Sequence, residues 1–301
     1  MQKIKFSNAS QEYSRIISGV MRWGSWGHKL STADMSQLIE SNVELGITTF
    51  DHADIYGDYS TEAEFGQALS ASAVDRNDVQ LITKCGIKMK SDARPDNKIK
   101  SYDTSKAYII SSVEQSLRNL QTDYIDQLLI HRPGPLMHAD DIIEAFTILK
   151  EQGKVIDFGV SNFTQAQFDK IHRFFPLTTN QLEVSVVQLQ SFVDGNIDYL
   201  QAEGISPQSW SPLGGAELFK PQSRYETVLR NGRLHELRQA YGWSVTELAL
   251  LFLLHHPANI CPVIGTANID HVKDSVQATN LSISDEQWYE IWTACTGQRV
   301  P

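Results

Sequence analysis

Phe50-Asp51-His52-Ala53-Asp54-Ile55-Tyr56-Gly57 holds the residues best suited to chemistry. The run Ile47-Thr48-Thr49-Phe50 reads as a buried strand that stops on a carboxylate, Asp51, and a phenol, Tyr56, follows five residues later. An acid and a phenol delivered at the carboxyl end of a strand point to proton transfer. Two further strand-like runs end on polar residues in the same way. Val79-Gln80-Leu81-Ile82-Thr83 ends on Lys84, and the run from Tyr124 to Ile130 ends on His131.

Together the four side chains make an acid catalyst for a carbonyl. A phenol with a pKa near ~10 is a reluctant donor at neutral pH. An adjacent ammonium favours the phenolate and lowers that pKa. A carboxylate beside the lysine keeps it charged and oriented, and a histidine can fix the carbonyl oxygen by a hydrogen bond. No side chain delivers hydride, so a nicotinamide cofactor is the expected reagent. Taken singly, each residue has a plainer reading. Asp51 could cap a helix, His131 could satisfy a backbone carbonyl, and Lys84 could be an ordinary rim charge. Their joint placement carries the catalytic reading.

The elements that must position them alternate strictly. Strands are expected at Ile16 to Trp23, Ile47 to Asp51, Val79 to Lys84, Tyr124 to Ile130, Val155 to Val160, Thr178 to Ser185, Ile205 to Ser211 and Ile260 to Ile264. Helical periodicity or capping signals separate them. Thr164 with Gln167 has the spacing of a capping box. The alternation implies a parallel sheet, and eight units imply a closed (β/α)8 TIM barrel. The whole chain, 1–301, reads as a single α/β domain with an extra C-terminal helix from Ser284 to Cys295. Asp51, Lys84, His131, Asn162, Gln181, Trp210 and Thr266 all fall at or near carboxyl ends of strands, where such barrels build active sites.

Composition narrows the partners. The net charge of −10 argues against nucleic acid or an anionic membrane. Cys85, Cys261 and Cys295 form no Cys-x-x-Cys pair, and free thiols fit a reducing compartment. His235-Glu236 and His255-His256 lack metal-site spacing, so no metal is expected. Met1 to Gln11 is polar, without a signal-peptide core, and no run suffices for a membrane span. A cytoplasmic protein is expected.

The chain resembles the aldo-keto reductases over essentially its whole length, and most closely their bacterial YdhF-type oxidoreductase branch. The match is carried by Phe50-Asp51-x-Ala53-x-x-Tyr56-Gly57, Glu62-x-x-x-Gly66, Lys84 and His131-Arg132-Pro133. Gly159 to Phe163, Asn180-Gln181-x-Glu183, Ser211-Pro212-Leu213 and Pro262 to Thr266 complete it. The resemblance implies NADPH-dependent reduction of small aldehydes or ketones by a monomer. Tyr56 would be the proton donor, Lys84 its partner, Asp51 the anchor of Lys84, and His131 the carbonyl-orienting residue. Ser161, Asn162 and Gln181 would hold the nicotinamide carboxamide, and Trp210 would stack on its ring. Leu213 and Gly215 would line the pyrophosphate, and Ser211 beside them would also bind cofactor. Gly265, Thr266, His271 and Asp274 fall in the adenosine-phosphate segment. Trp23 is read as a substrate-pocket aromatic, against plain packing at the barrel mouth, and Arg132 as a fork-shaped donor to an acidic substrate group or a brace of the loop that follows. Where many members carry an arginine for the 2′-phosphate, this chain has His271, a weaker and pH-dependent partner that Asn268 and Lys273 could supplement, so NADH is also possible. The alternative implied is a nicotinamide-binding regulatory or redox-sensing subunit with little turnover. A lyase or isomerase on the same barrel leaves Ser161, Asn162 and Gln181 unexplained.

Overall fold

The structure is a computed structural model that describes residues 3–219 and 233–299. Eight parallel strands close into a barrel: β1 (Ile17–Gly19), β2 (Thr49–Asp51), β3 (Gln80–Cys85), β4 (Ile125–Ile130), β5 (Val155–Ser161), β6 (Asn180–Glu183), β7 (Gln208–Trp210) and β8 (Cys261–Ile264). Each pairs with its neighbours in sequence, and β8 closes onto β1 through Val263 opposite Ile17 and Ile264 opposite Ser18. The strands are buried on both faces because helices cover the outside.

Local sequence sets the helix starts. Ser31 caps Thr32–Glu44, and Ser105 caps Lys106–Leu120. Thr164 and Gln167 form the expected capping box on Gln165–His172. Ser244 with Glu247 and Ser284 with Gln287 do the same for Val245–Leu254 and Asp285–Thr296. The last of these is the extra C-terminal helix. Its Trp288 stacks on Phe252 at 4.8 Å and donates its indole N–H to the Phe252 carbonyl at 2.8 Å.

Several strands are shorter than their apolar runs. The run from Ile16 to Trp23 yields only Ile17–Gly19, after which the chain turns. The ends of the sixth and seventh runs, Thr178 to Ser185 and Ile205 to Ser211, likewise lie outside the barrel ladders, buried except for half-buried Ser211. The polar N-terminus is not idle. Lys3–Lys5 and Glu12–Ser14 pair as an antiparallel hairpin. Phe6 and Tyr13 from it pack on Ile17, Ile82, Leu129 and Val263. A second hairpin, Ile87–Lys88 with Ser101–Tyr102, brackets the polar stretch between β3 and the helix Lys106–Leu120. The sequence from Val228 to Tyr241 reads as helical after a long loop from Ala216; the structure shows a helix at Arg233–Tyr241, and residues 220–232 lie outside those described.

Candidate active site

Asp51 closes β2, and the chain after it brings Tyr56 back over the barrel mouth. The return is tight: Gly57, Asp58 and Tyr59 have φ of 62°, 57° and 73°. Two of these are not glycine, and such left-handed positions each cost of order 1–3 kcal/mol, which is tolerated where a site demands it. Ser60 caps the turn by donating its hydroxyl to the Gly57 carbonyl at 2.8 Å.

Lys84, near the end of β3, is buried at 1% exposure. Its Nζ donates to Asp51 Oδ2 at 2.6 Å, to the His52 carbonyl at 2.7 Å and to the Tyr56 hydroxyl at 3.3 Å. All three ammonium protons are therefore used. Burial pushes the Lys84 pKa down, but Asp51 and Tyr56 together outweigh it and the net shift is upward. The ammonium is charged. For Tyr56 the expected lowering does not emerge. Burial raises the phenol by more than Lys84 pulls it back, so the group is held protonated. His131 meets the Tyr56 ring edge-on at 6.1 Å, and its Nδ1 is buried without a partner. Burial, then Lys84 and Arg132, hold its pKa well below the usual imidazole value, so it is neutral.

A second set sits on β5, β6 and β7. Ser161 donates its hydroxyl to the Gln181 carbonyl at 2.9 Å and accepts from Asn162 Nδ2 at 2.7 Å. Trp210 donates its indole N–H to Asn162 Oδ1 at 2.9 Å. Gln181 Nε2 donates to Asp51 Oδ1 at 2.9 Å, which joins this set to the tetrad. Asn162 and Ser211 are left-handed, at φ 61° and 51°. Strain at both flanks of the half-buried Trp210 ring marks a place the fold holds deliberately. These groups fit a nicotinamide: an amide-rich set for a carboxamide beside a flat indole, next to a charged lysine and a protonated phenol.

Further along this mouth, half-buried Leu213 precedes Gly214 and Gly215, both at φ 62°. Past β8, Gly265 is exposed, with nothing within 4 Å of where a Cβ would stand. Thr266 Oγ1 lies 3.4 Å from His271 Nδ1, and Asn268 caps Ile269–Ala278. His271 and Asp274 are exposed. Lys273 is engaged with Asp270 at 3.0 Å.

Residues 15–295 match the Aldo/keto reductase family. Over the full length of both chains the sequence is 41% identical to oxidoreductase YcsN of Bacillus subtilis and 40% identical to oxidoreductase YdhF of Escherichia coli. The chain belongs to the aldo/keto reductase family. It is 38% identical to a 6-dehydroglucose reductase of Agrobacterium fabrum, again over all of both chains. The holo form of aldo-keto reductase AKR11C1 from Bacillus halodurans superposes with a TM-score of 0.84 at 26% identity, covering 100% of this chain and 98% of that one. Membership makes this chain an NAD(P)H-dependent oxidoreductase acting on the carbonyl–alcohol couple.

Two pocket expectations part company here. Trp23 is fully buried, packed between Phe50 and Phe65 with its indole N–H on the Thr266 carbonyl at 3.2 Å, so it offers no face to a substrate. The reason is length: β1 ends early and the turn after it folds Trp23 inward. Trp26 takes the place next to Tyr56, with ring centroids 6.1 Å apart. Arg132 is half-buried over the Trp210 ring at 5.4 Å, and among the described residues no carboxylate pairs with it. Sequence reasoning missed Gln127 and Gln208 inside the barrel and His52 behind it. An uncharged polar residue within an otherwise apolar strand, as in Ile125-Asp126-Gln127-Leu128, was the available signal.

Proposed function

We propose that the protein is an NADPH-dependent reductase of aldehydes or ketones in which Tyr56 donates the proton. The observation that carries this reading is the buried ammonium of Lys84, bonded to both Asp51 and the Tyr56 hydroxyl. A bound nicotinamide supplies the hydride. Tyr56 holds its proton at the phenol oxygen because burial disfavours the phenolate. Lys84 stabilises the charge that appears on that oxygen as the proton leaves. Neutral His131 orients the carbonyl oxygen by hydrogen bonding. Ser161, Asn162 and Gln181 hold the carboxamide, and Trp210 backs the ring.

His271, with Thr266 beside it, supports recognition of a 2′-phosphate. Lys273, already paired with Asp270, supports it less. The unpaired Arg132 suits an oxygen-rich substrate, and the likeness to a 6-dehydroglucose reductase makes oxidised sugars the first carbonyls to screen. The reading includes a monomer in a reducing cytoplasm, in keeping with three buried free thiols.

The test is a titration with NADPH and NADH followed by quenching of tryptophan fluorescence. NADPH should bind at least about tenfold more tightly, the worth of one charged hydrogen bond. Equal affinities would assign a relaxed cofactor choice, and binding of neither would end the oxidoreductase mechanism proposed for this site.

A further inference from the structure

Beneath Asp51 the barrel interior carries a file of amides of which the chemistry above uses only the first, Gln181. Gln181 Nε2 donates to Asp51 Oδ1 at 2.9 Å and to Gln208 Oε1 at 3.0 Å. Gln208 Nε2 donates to Gln127 Oε1 at 2.8 Å, and Gln127 Nε2 donates to Thr178 Oγ1 at 2.8 Å. The Thr178 hydroxyl passes its own proton to the Phe158 carbonyl at 2.9 Å. Every side chain in the file is at most 2% exposed. The register explains the reach: Gln181 and Gln208 stand directly opposite each other on β6 and β7.

The file has one allowed direction. At its upper end the Asp51 carboxylate, paired with the Lys84 ammonium, accepts; at its lower end the Phe158 carbonyl only accepts. Turning any one amide over would set nitrogen against nitrogen or oxygen against oxygen along the file, and a buried polar group left unmet is strongly disfavoured. The direction fixes Gln181. Both N–H bonds of its amide are committed, so its Oε1 is the atom left over, and nothing among the described residues donates to it.

We propose that Gln208 and Gln127 are positioning residues that lock the Gln181 amide with its NH2 toward Asp51 and its carbonyl oxygen presented to the carboxamide N–H of a bound nicotinamide. The inference rests on the reading that Gln181 faces the nicotinamide. It adds a direct link: one amide holds the second oxygen of the carboxylate that anchors Lys84, so cofactor seating and proton-donor geometry share a part.

The test compares the full chain with Gln208→Leu and Gln208→Glu. Two ligands are titrated, NADPH and 2′-phospho-ADP-ribose, which keeps every part of the dinucleotide except the nicotinamide. Gln208→Leu should weaken NADPH about tenfold, roughly one lost hydrogen bond, while the fragment stays within about twofold. Equal weakening of both ligands, or of neither, overturns the inference while leaving the proposed function in place. Wild-type protein that binds neither ligand overturns both.

Gln208→Glu guards against a merely destabilised leucine variant. Its protonated carboxyl accepts from Gln181 and donates to Gln127, as the amide does. Its carboxylate cannot donate, and adds a charge near Asp51. The ratio of NADPH to fragment affinity in this variant should fall as pH rises from 6 to 9 along a one-proton curve absent from wild type. A ratio that tracks wild type across that range overturns the positioning role.

Discussion

Lys84 decides the site at the scale of single residues. Its three bonds exhaust its protons, so Asp51, the His52 carbonyl and Tyr56 are fixed by one atom. Replacing Tyr56 by Phe removes the proton and little else; turnover should fall by at least about 10²-fold, the usual worth of a positioned acid, while NADPH binding stays near wild type. Steady-state kinetics beside a binding titration checks this, and surviving turnover would refute the assignment. His52 makes a different prediction. Its ring is fully buried beside Phe65, neither nitrogen is bonded, and burial lowers its pKa from 6.5 to about 3. Below pH 6.5 the unfolded chain takes up a proton that the folded chain refuses until about pH 3. Stability from this group is therefore present above that window and lost as pH falls through it, with a slope of about 1.4 kcal/mol per pH unit. His52→Leu keeps the backbone carbonyl for Lys84 and removes the slope. Melting temperatures at pH 7 and pH 5 should show a smaller acid drop in the variant; equal drops would show that His52 is not the source.

At the scale of elements, strand ends and helix contacts set the tolerances. Gly66 lies within the helix Thr61–Ala71, where alanine would ordinarily be the better residue by roughly 1 kcal/mol. Here a Cβ would stand 2.2 Å from the Asn119 carbonyl and 2.9 Å from Leu120 Cα, on the adjoining helix Lys106–Leu120. Both obstacles are backbone, so Gly66→Ala should destabilise by about 1–3 kcal/mol, opposite in sign to helix propensity. Urea denaturation reads this directly. The apolar face of Lys106–Leu120 could be read from its spacing, and so could the capping box at Thr164. The turn that carries Tyr56 could not, because Asp58 and Tyr59 are left-handed without the glycines that announce such turns.

At the scale of the whole molecule, the hairpin at the amino end of the strands closes what the sheet leaves open. Tyr13 donates its hydroxyl to Asp157 at 2.8 Å, and Gln11 donates its amide N–H to Asp126 at 3.0 Å, so carboxylates near the starts of β4 and β5 are met there. Phe6, at 1% exposure, is the apolar half of that plug. Phe6→Ala should lower stability by about 3–5 kcal/mol and leave kcat unchanged, because the tetrad lies at the opposite ends of the strands. Thermal melting with a parallel rate assay separates the two; a fall in kcat at temperatures where the variant is folded would contradict this division.

The sequence by itself determined the alternation of strand and helix, the barrel it implies, and the residues at the carboxyl ends of the strands. Those follow from periodicity, capping and chain order, which are local. The structure alone decided which of the tryptophans meets Tyr56, that burial outweighs Lys84 in setting the phenol, and that three glutamines and a threonine form one directed file beneath Asp51. Each of these depends on distances between residues far apart in the chain and on exclusion of water, and neither quantity is written in the order of residues.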